Sequence, residues 1–238
     1  VRFKLSPFGP FSLLNYSSIS LYFTYIQPIY PLFQKAPFYD DYNHKRIPTA
    51  LLYAIFALSA RHSLNDEILK HSRGDSCLAG DNFARRAKMA SANDEDIDKP
   101  ITLDDLKTKF LLCVHEYTRN PGRRAWVSAG NIVRMAYELG LHQIDTPTKD
   151  DVGSPGALSE LAKEERRHVW WCVWKLDAWV GISGATPFAV DGQVVCTAFA
   201  STSPAELADS KVVPSSQMFL NTDVEKSWGL MRELQTSN

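Results

Sequence analysis

Apolar positions along most of this chain recur every three or four residues, which is the spacing of one face of an α-helix. Between residues 50 and 58 almost every position is apolar, which predicts a helix buried on all sides. No segment alternates clearly between apolar and polar residues, and only residues 188–195 are a candidate for a short strand pair. We therefore predict an all-α, multi-helix fold, with helices over 47–62, 76–90, 102–118, 123–139 and 159–181.

Several of these helices have recognisable end signals. Thr102 and Asp105 have the spacing of a capping box, and Ser159 is a typical N-cap before the last helix. Gly140 fits the left-handed position that follows a helix, and Gly181 is the predicted end of the last helix. The boundaries of the later helices are therefore predicted from local chemistry alone.

The segment EERRHVWWCVWKLDAWVG, residues 164–181, combines a charged start with four tryptophans. At helical spacing its charges occupy the first two turns and its indoles the later ones. Because aromatic side chains bury large areas, this pattern favours a long helix with a solvated start and a buried end. We predict that the other helices pack around this Trp-rich helix.

Asp177 lies on the same predicted face as Trp170, so its carboxylate needs a buried partner. We predict an arginine from another helix, with Arg134 as the best candidate. The doublets Arg123–Arg124 and Arg166–Arg167 allow a nucleic-acid interpretation, but structural ion pairs are favoured, and Glu164–Glu165 precede the second doublet.

The composition further narrows the range of possible functions. The chain has 238 residues, 45% hydrophobic and 22% charged, with a net charge of −1. Domains that contact DNA phosphates usually carry a basic excess, so direct nucleic-acid binding is disfavoured. The four cysteines lack the close spacing of zinc ligands or of a disulfide framework, so reduced thiols are expected at Cys77, Cys113, Cys172 and Cys196.

The N-terminal region has no charged residue from Leu5 to Gln34, which resembles a signal or anchor pattern. Four prolines and several polar residues interrupt it, so a poorly ordered or buried segment is favoured over a membrane role. The sequence begins with Val1 instead of methionine, which indicates a fragment or an incomplete gene product.

No residue pattern indicates catalysis. Asp40–Asp41 resembles one acidic magnesium motif of helical terpene cyclases, but no second motif stands on a later helix, which favours a solvated loop. No HExxH, GxSxG or phosphate-binding loop occurs. We therefore predict no catalytic, cofactor-binding or metal-ligating residue, and the six scattered histidines are interpreted as structural or exposed: His44, His62, His71, His115, His142 and His168.

Four segments in order resemble a known family. They are LYFTYIQPIYPLF, LLYAIFALSAR, RRAWVSAGNIVRMAYELGLH and EERRHVWWCVWKLDAWVG. Together they resemble the fungal-specific transcription factor domain, the middle homology region of zinc binuclear cluster regulators, over residues 21–195. The matching residues that we interpret as a structural motif are Arg134, Glu165, Arg166, Arg167, Trp170, Trp171 and Asp177.

Two positions depart from the family pattern. His168 stands where a third arginine is common, and GATP at 184–187 replaces the usual Gly-Arg-Pro. The expected domains are an ill-defined N-terminal segment at 1–20, the regulatory domain at 21–198, and a Ser-rich tail at 199–238.

The resemblance implies a nuclear regulator of RNA polymerase II transcription. DNA would be bound through a zinc cluster missing from these residues, and zinc would be needed only there. Further expected partners are the transcription machinery or co-regulators and a small-molecule effector. No association with a membrane is expected. Two alternatives stay open: a helical isoprenoid-type enzyme and a helical interaction scaffold.

Overall fold

A computed structural model describes residues 12–63, 78–92, 100–146 and 158–201. These ranges contain seven α-helices and no β-strand, so the all-α prediction is confirmed and the strand pair at 188–195 is not formed. The helices are α1 Ser12–Leu21, α2 Lys35–Asn43, α3 Thr49–Ser59, α4 Asp81–Ala92, α5 Leu103–Arg119, α6 Arg123–Glu138 and α7 Glu160–Gly184. Short π- and 3₁₀-helical turns lie at Tyr22–Ile26, Ala60–His62, Leu141–Gln143 and Gly192–Val194.

Three predicted helix ends are confirmed. The Thr102 hydroxyl accepts a hydrogen bond from the Asp105 N–H at 3.2 Å, and the Asp105 carboxylate accepts one from the Thr102 N–H at 2.9 Å. Ser159 Oγ accepts from the Ala162 N–H at 3.2 Å, and Gly140 has a φ of 67°. Each device depends only on neighbouring residues, which explains why the sequence was sufficient to locate it.

The predicted end of α7 at Gly181 is wrong. The helix continues to Gly184, and Ala185 then takes the left-handed conformation, with a φ of 48°. A Cβ atom at Gly181 would lie 2.8 Å from the Phe188 ring. This glycine therefore allows the following segment to pack closely against the helix.

The core is formed by two groups of helices that share α5. Helix α3 packs against α1, α4 and α5, and helix α6 packs between α5 and α7. In α3, residues 51–52 and 54–59 are all buried, as the apolar pattern predicts. The expected arrangement of all helices around the Trp-rich α7 is not confirmed, because α3 is at least as central.

Gly80, just before α4, lies against the backbone of α3. A Cβ atom at this position would lie 2.0 Å from the Ala57 carbonyl oxygen, and that backbone cannot move independently. We expect Gly80→Ala to lower the free energy of unfolding by about 1–3 kcal/mol. Gly130→Ala is the control, since its Cβ would meet the flexible Arg134 side chain at 3.4 Å and the Ala189 Cβ at an ordinary 4.0 Å, and helix propensity favours alanine.

Urea unfolding of both variants checks this prediction. Gly130→Ala is expected to match or exceed the stability of the wild type. Equal stability of Gly80→Ala and the wild type would contradict the close approach of α3 and α4.

The N-terminal part of the described structure is helical. Residues 12–20 form most of α1, and Ile19 in this helix is fully buried. Among the helices that the structure describes, none combines the length and the apolar character needed to cross a membrane.

Candidate functional site

A buried ion cluster occupies the first turns of α7. The Arg167 guanidinium donates from Nε to both carboxylate oxygens of Asp145 at 3.1 Å, and from Nη1 to Glu164 Oε2 at 2.9 Å. The side chains of Arg167, Asp145 and Glu164 are only 9%, 7% and 1% exposed. We call these three residues the Arg167 cluster. It joins α7 to the connection that follows α6.

The electrostatics of the Arg167 cluster follow from its burial. Burial alone would lower the pKa of Arg167, but the hydrogen bonds and negative charges of Asp145 and Glu164 outweigh this and raise the pKa. The guanidinium therefore stays charged. Its two carboxylate partners are needed because an unpaired buried cation is strongly unfavourable.

A segment without regular secondary structure, residues 195–201, lies across this cluster, and we call it the strap. The Ala198 N–H donates to Asp145 Oδ2 at 2.8 Å, and the Ser201 hydroxyl donates to Glu164 Oε1 at 3.1 Å. The Trp171 indole N–H donates to the Ala198 carbonyl at 2.8 Å, and its ring stacks on Phe199 with centroids 4.3 Å apart. The strap thus covers the Arg167 cluster and is attached to the same helix.

The strap is also attached to the turn after α6. The Cys196 N–H donates to the His142 carbonyl at 2.7 Å. The Thr197 hydroxyl donates to the Leu141 carbonyl at 2.6 Å and accepts from the Ile144 N–H at 3.2 Å. These contacts connect the end of α6, the start of α7 and the strap in one polar network.

Glu165 joins a second polar group on the opposite side of α7. Its carboxylate accepts a hydrogen bond from the ammonium of Lys107, a residue of α5 that is only 3% exposed. It also accepts from the Gln34 side-chain amide at 3.0 Å, and the Lys107 ammonium lies 4.7 Å from the centre of the Phe33 ring. Glu165 therefore ties α7 to α5 and to the segment before α2.

The predicted Arg134–Asp177 ion pair is wrong. Asp177 is buried, but its carboxylate accepts hydrogen bonds from the backbone N–H groups of Ala189 at 2.8 Å and Val190 at 2.9 Å. The exposed Arg134 donates to the Gly130 carbonyl within its own helix, at 3.1 Å. Burial raises the pKa of Asp177, and the two amide donors partly offset that increase.

The expected solvated start of α7 is wrong, and the expected buried end holds for Leu176 and Val180 but not for all of the indoles. Glu164, Arg167 and His168 are all buried, whereas Trp179 in the last turns is 62% exposed. Of the four indoles in α7, only that of Trp170 is fully buried. Trp171 and Trp174 are half-buried and stack edge to face, with ring centroids 5.8 Å apart.

The other candidate residues that the structure describes form ion pairs or are buried. Asp40 and Asp41 lie on α2 and both form ion pairs with Arg46. Burial raises the pKa of the Cys113 and Cys172 thiols to about 12. Within the described ranges no three His, Cys, Asp or Glu residues are placed to hold a metal ion. His71 and Cys77 lie outside the described residues.

His115, in α5, has an unusual titration. Burial lowers its pKa to about 4, and the positive charge of Arg61 adds to this effect. In the unfolded chain a histidine titrates near pH ~6.5, so between pH 6.5 and 4 the unfolded state binds more protons. The contribution of this residue to stability is therefore lost as the pH falls through that window.

We expect the free energy of unfolding to fall by roughly 1–2 kcal/mol between pH 7 and pH 5 because of His115. His115→Gln removes the titration and is expected to show a shallower pH dependence by that amount. Guanidinium chloride unfolding at the two pH values measures the difference. An identical pH dependence of the two proteins would contradict the lowered pKa.

Sequence analysis missed Asp145, Lys107 and the strap. Lys107 follows Leu106 and precedes Phe110 by three positions, so its place on the apolar stripe of α5 was a usable signal. Asp145 lies in the polar connection between α6 and α7, where nothing in the local sequence pattern predicts a buried side chain. Arg166, although part of the predicted motif, is half-buried and forms no ion pair with any residue that the structure describes.

Comparison with known proteins identifies the family. The fungal specific transcription factor domain matches residues 19–190, which contain α7 and the Arg167 cluster. This chain belongs to that family. The resemblance inferred from the four ordered segments is therefore confirmed, and the strap begins after the matched residues.

Relatives of this fungal transcription factor domain are transcriptional regulators by name. The ascochitine biosynthesis cluster transcriptional regulator of Didymella fabae is 27% identical over 74% of the chain and 30% of its own length. The citrinin biosynthesis transcriptional activator of Monascus purpureus is 30% identical over 43% of the chain and 17% of its own length. An uncharacterized transcriptional regulatory protein of Schizosaccharomyces pombe is 29% identical over 62% of the chain and 15% of its own length.

The chain thus spans less than a third of the length of these relatives. No solved structure matches it.

Proposed function

We propose that this chain is the regulatory domain of a fungal zinc-cluster transcription factor that controls RNA polymerase II transcription in the nucleus. The observation that carries the proposal is the family match over residues 19–190, together with relatives that are named as transcriptional regulators. DNA, co-regulators and a small-molecule effector are the proposed partners.

DNA binding would reside in a zinc cluster outside these residues. That cluster needs six cysteine ligands, whereas this chain has four cysteines. Cys113 and Cys172 are buried on separate helices, and Cys113 donates to the Ala125 carbonyl at 3.6 Å. The residues of this chain therefore do not fit the cluster.

The proposed role is regulatory and not enzymatic. The isoprenoid-enzyme alternative depended on Asp40 and Asp41, and both carboxylates are engaged by Arg46 at the surface. Glu165, Arg167, Trp170 and Asp177 make the structural contacts described above. We propose that they support the helical body of the domain instead of acting on a substrate.

A regulatory domain needs two arrangements whose populations a partner can shift. We propose that the strap is the element that differs between them. It is attached to α7 through two hydrogen bonds and one ring stack, so a partner that contacts α7 in its place could compensate for the lost contacts. Docked and released straps would then present different surfaces of α7.

The proposal is tested by fusing the 238-residue chain to a heterologous DNA-binding domain and measuring a reporter gene in a fungal host. We expect the fusion to change reporter transcription relative to the DNA-binding domain alone. Phe199→Ala removes the stack on Trp171 and should alter that activity by releasing the strap. Arg134→Gln, on the exposed face of α6, is the matched control.

Equal reporter levels with and without the chain would contradict a regulatory role and favour the interaction scaffold. A Phe199→Ala fusion with wild-type activity would contradict only the role of the strap. Immunoblotting of each fusion shows whether the compared proteins are present at equal amounts.

A further inference from the structure

A basic cleft of about 880 Å³ opens between α4, α5 and the start of α6. Five cationic side chains line it, against the two carboxylates of Asp81 and Glu116. Arg119 pairs with Asp81, and Lys88 lies 3.8 Å from Glu116. The remaining three cations, Arg85, Arg123 and Arg124, pair with no carboxylate in the described part of the chain.

The start of α6 adds to the positive character of the cleft. Arg123 is the first residue of this 16-residue helix, and the preceding Gly122 offers no side chain to cap its first N–H groups. The N-terminus of a helix carries a partial positive charge and is a common binding position for phosphate and carboxylate groups. Arg123 and Arg124 therefore line the cleft beside a backbone position that is itself suited to an anion.

His115 supplies an independent indication of a ligand. The residue lines the cleft and is only 5% exposed, but its Nε2 atom has no hydrogen-bond partner among the described residues. The nearest carboxylate oxygen, Asp81 Oδ1, lies 3.7 Å away and is also without a partner. Buried polar atoms in native proteins are almost always satisfied, so His115 has an unused hydrogen-bonding capacity at the edge of the cleft.

We propose that this cleft binds a small molecule with at least two anionic groups, of the phosphorylated or polycarboxylate class. Arg123, Arg124 and the α6 N-terminus hold one anionic group, while Arg85 and Lys88 on α4 hold the second. His115 provides a hydrogen bond at the base of the cleft. The volume is within the range of about 300–1,000 Å³ that is usual for small-molecule sites.

The observations favour a small anion over a nucleic acid. The cleft is concave and its charge is local, since the whole chain has a net charge of −1. Duplex binding usually requires a longer basic stripe that follows the phosphate backbone. The proposed binding does not depend on the role in transcription, so a negative reporter experiment would leave it intact.

Isothermal titration calorimetry of the 238-residue chain tests the proposal, with pyrophosphate and citrate as the two probes. We expect saturable binding of at least one probe with one site per chain. Arg124→Gln should weaken this binding roughly tenfold, because it removes one charge-assisted contact. Arg134→Gln removes the same charge from the same helix outside the cleft and should bind as the wild type does.

Four carboxylates follow α4 in the sequence, at Asp94, Glu95, Asp96 and Asp98, so a variant with all four changed to the amides is titrated as well. It is expected to bind the probe at least as tightly as the wild type. Absence of saturable binding in both proteins would overturn the proposal. Equal weakening by Arg124→Gln and Arg134→Gln, or stronger binding of a short DNA duplex than of either probe, would also overturn it.

Discussion

Trp170→Ala is expected to lower the free energy of unfolding by about 3–5 kcal/mol, because it leaves a large cavity in the core. The Trp170 side chain is fully buried. Its ring lies against those of Tyr137 and His142, with centroid distances of 5.8 and 6.3 Å. These two neighbours belong to α6 and to the turn after it, so the indole fills the junction between α6 and α7.

Urea unfolding followed by circular dichroism measures this loss. Trp179→Ala is the matched control, since the indole of Trp179 is 62% exposed and its removal should change stability by less than about 0.5 kcal/mol. Trp170→Phe keeps a ring in the junction and should lose less than Trp170→Ala. Similar stability of the two alanine variants would show that α7 does not depend on Trp170 for its packing.

Arg167→Met is expected to destabilise the domain by a similar amount, about 3–5 kcal/mol, because it leaves the Asp145 and Glu164 carboxylates buried without their cation. Asp145 would keep only the Ala198 N–H among its described partners, whereas Glu164 would keep Ser201 and the His168 ring, whose Nε2 lies 3.9 Å from Glu164 Oε1.

Two comparisons separate this effect from a general sensitivity of α7. Arg166→Met changes the adjacent arginine, which is half-buried and without an ion pair in the described structure, and should cost much less. The double variant Arg167→Met/Asp145→Asn should be less destabilised than the sum of its single variants, since it removes charges from both sides of the pair. Strict additivity would contradict direct coupling of the two side chains.

The sequence was a reliable guide wherever the physical cause is local. The capping box at Thr102 and Asp105, the cap at Ser159 and the left-handed Gly140 each involve residues no more than four positions apart. The apolar run of α3 was likewise sufficient to predict a buried helix. In such cases one stretch of chain contains both the signal and the structure that satisfies it.

The errors concern partners that lie far away in sequence. Asp177 was assigned a cationic partner because buried carboxylates often have one, but two backbone amides satisfy it instead. The charges at the start of α7 were assigned to solvent, although Lys107 and Asp145 neutralise them from other parts of the chain. Helical periodicity predicts the face of the helix on which a residue lies. It does not predict which residues of other elements pack against that face.

The strap has a practical consequence for anyone who expresses this domain. A protein cut at residue 190, where the family match ends, would keep both amide donors of Asp177. It would lose the Ala198 amide on Asp145, the Ser201 hydroxyl on Glu164 and the ring that shields Trp171. Such a shortened protein would expose both the charged groups of the Arg167 cluster and the Trp171 ring to water. Poor solubility of the shortened protein would then result from the choice of its C-terminal boundary and not from instability of the natural fold.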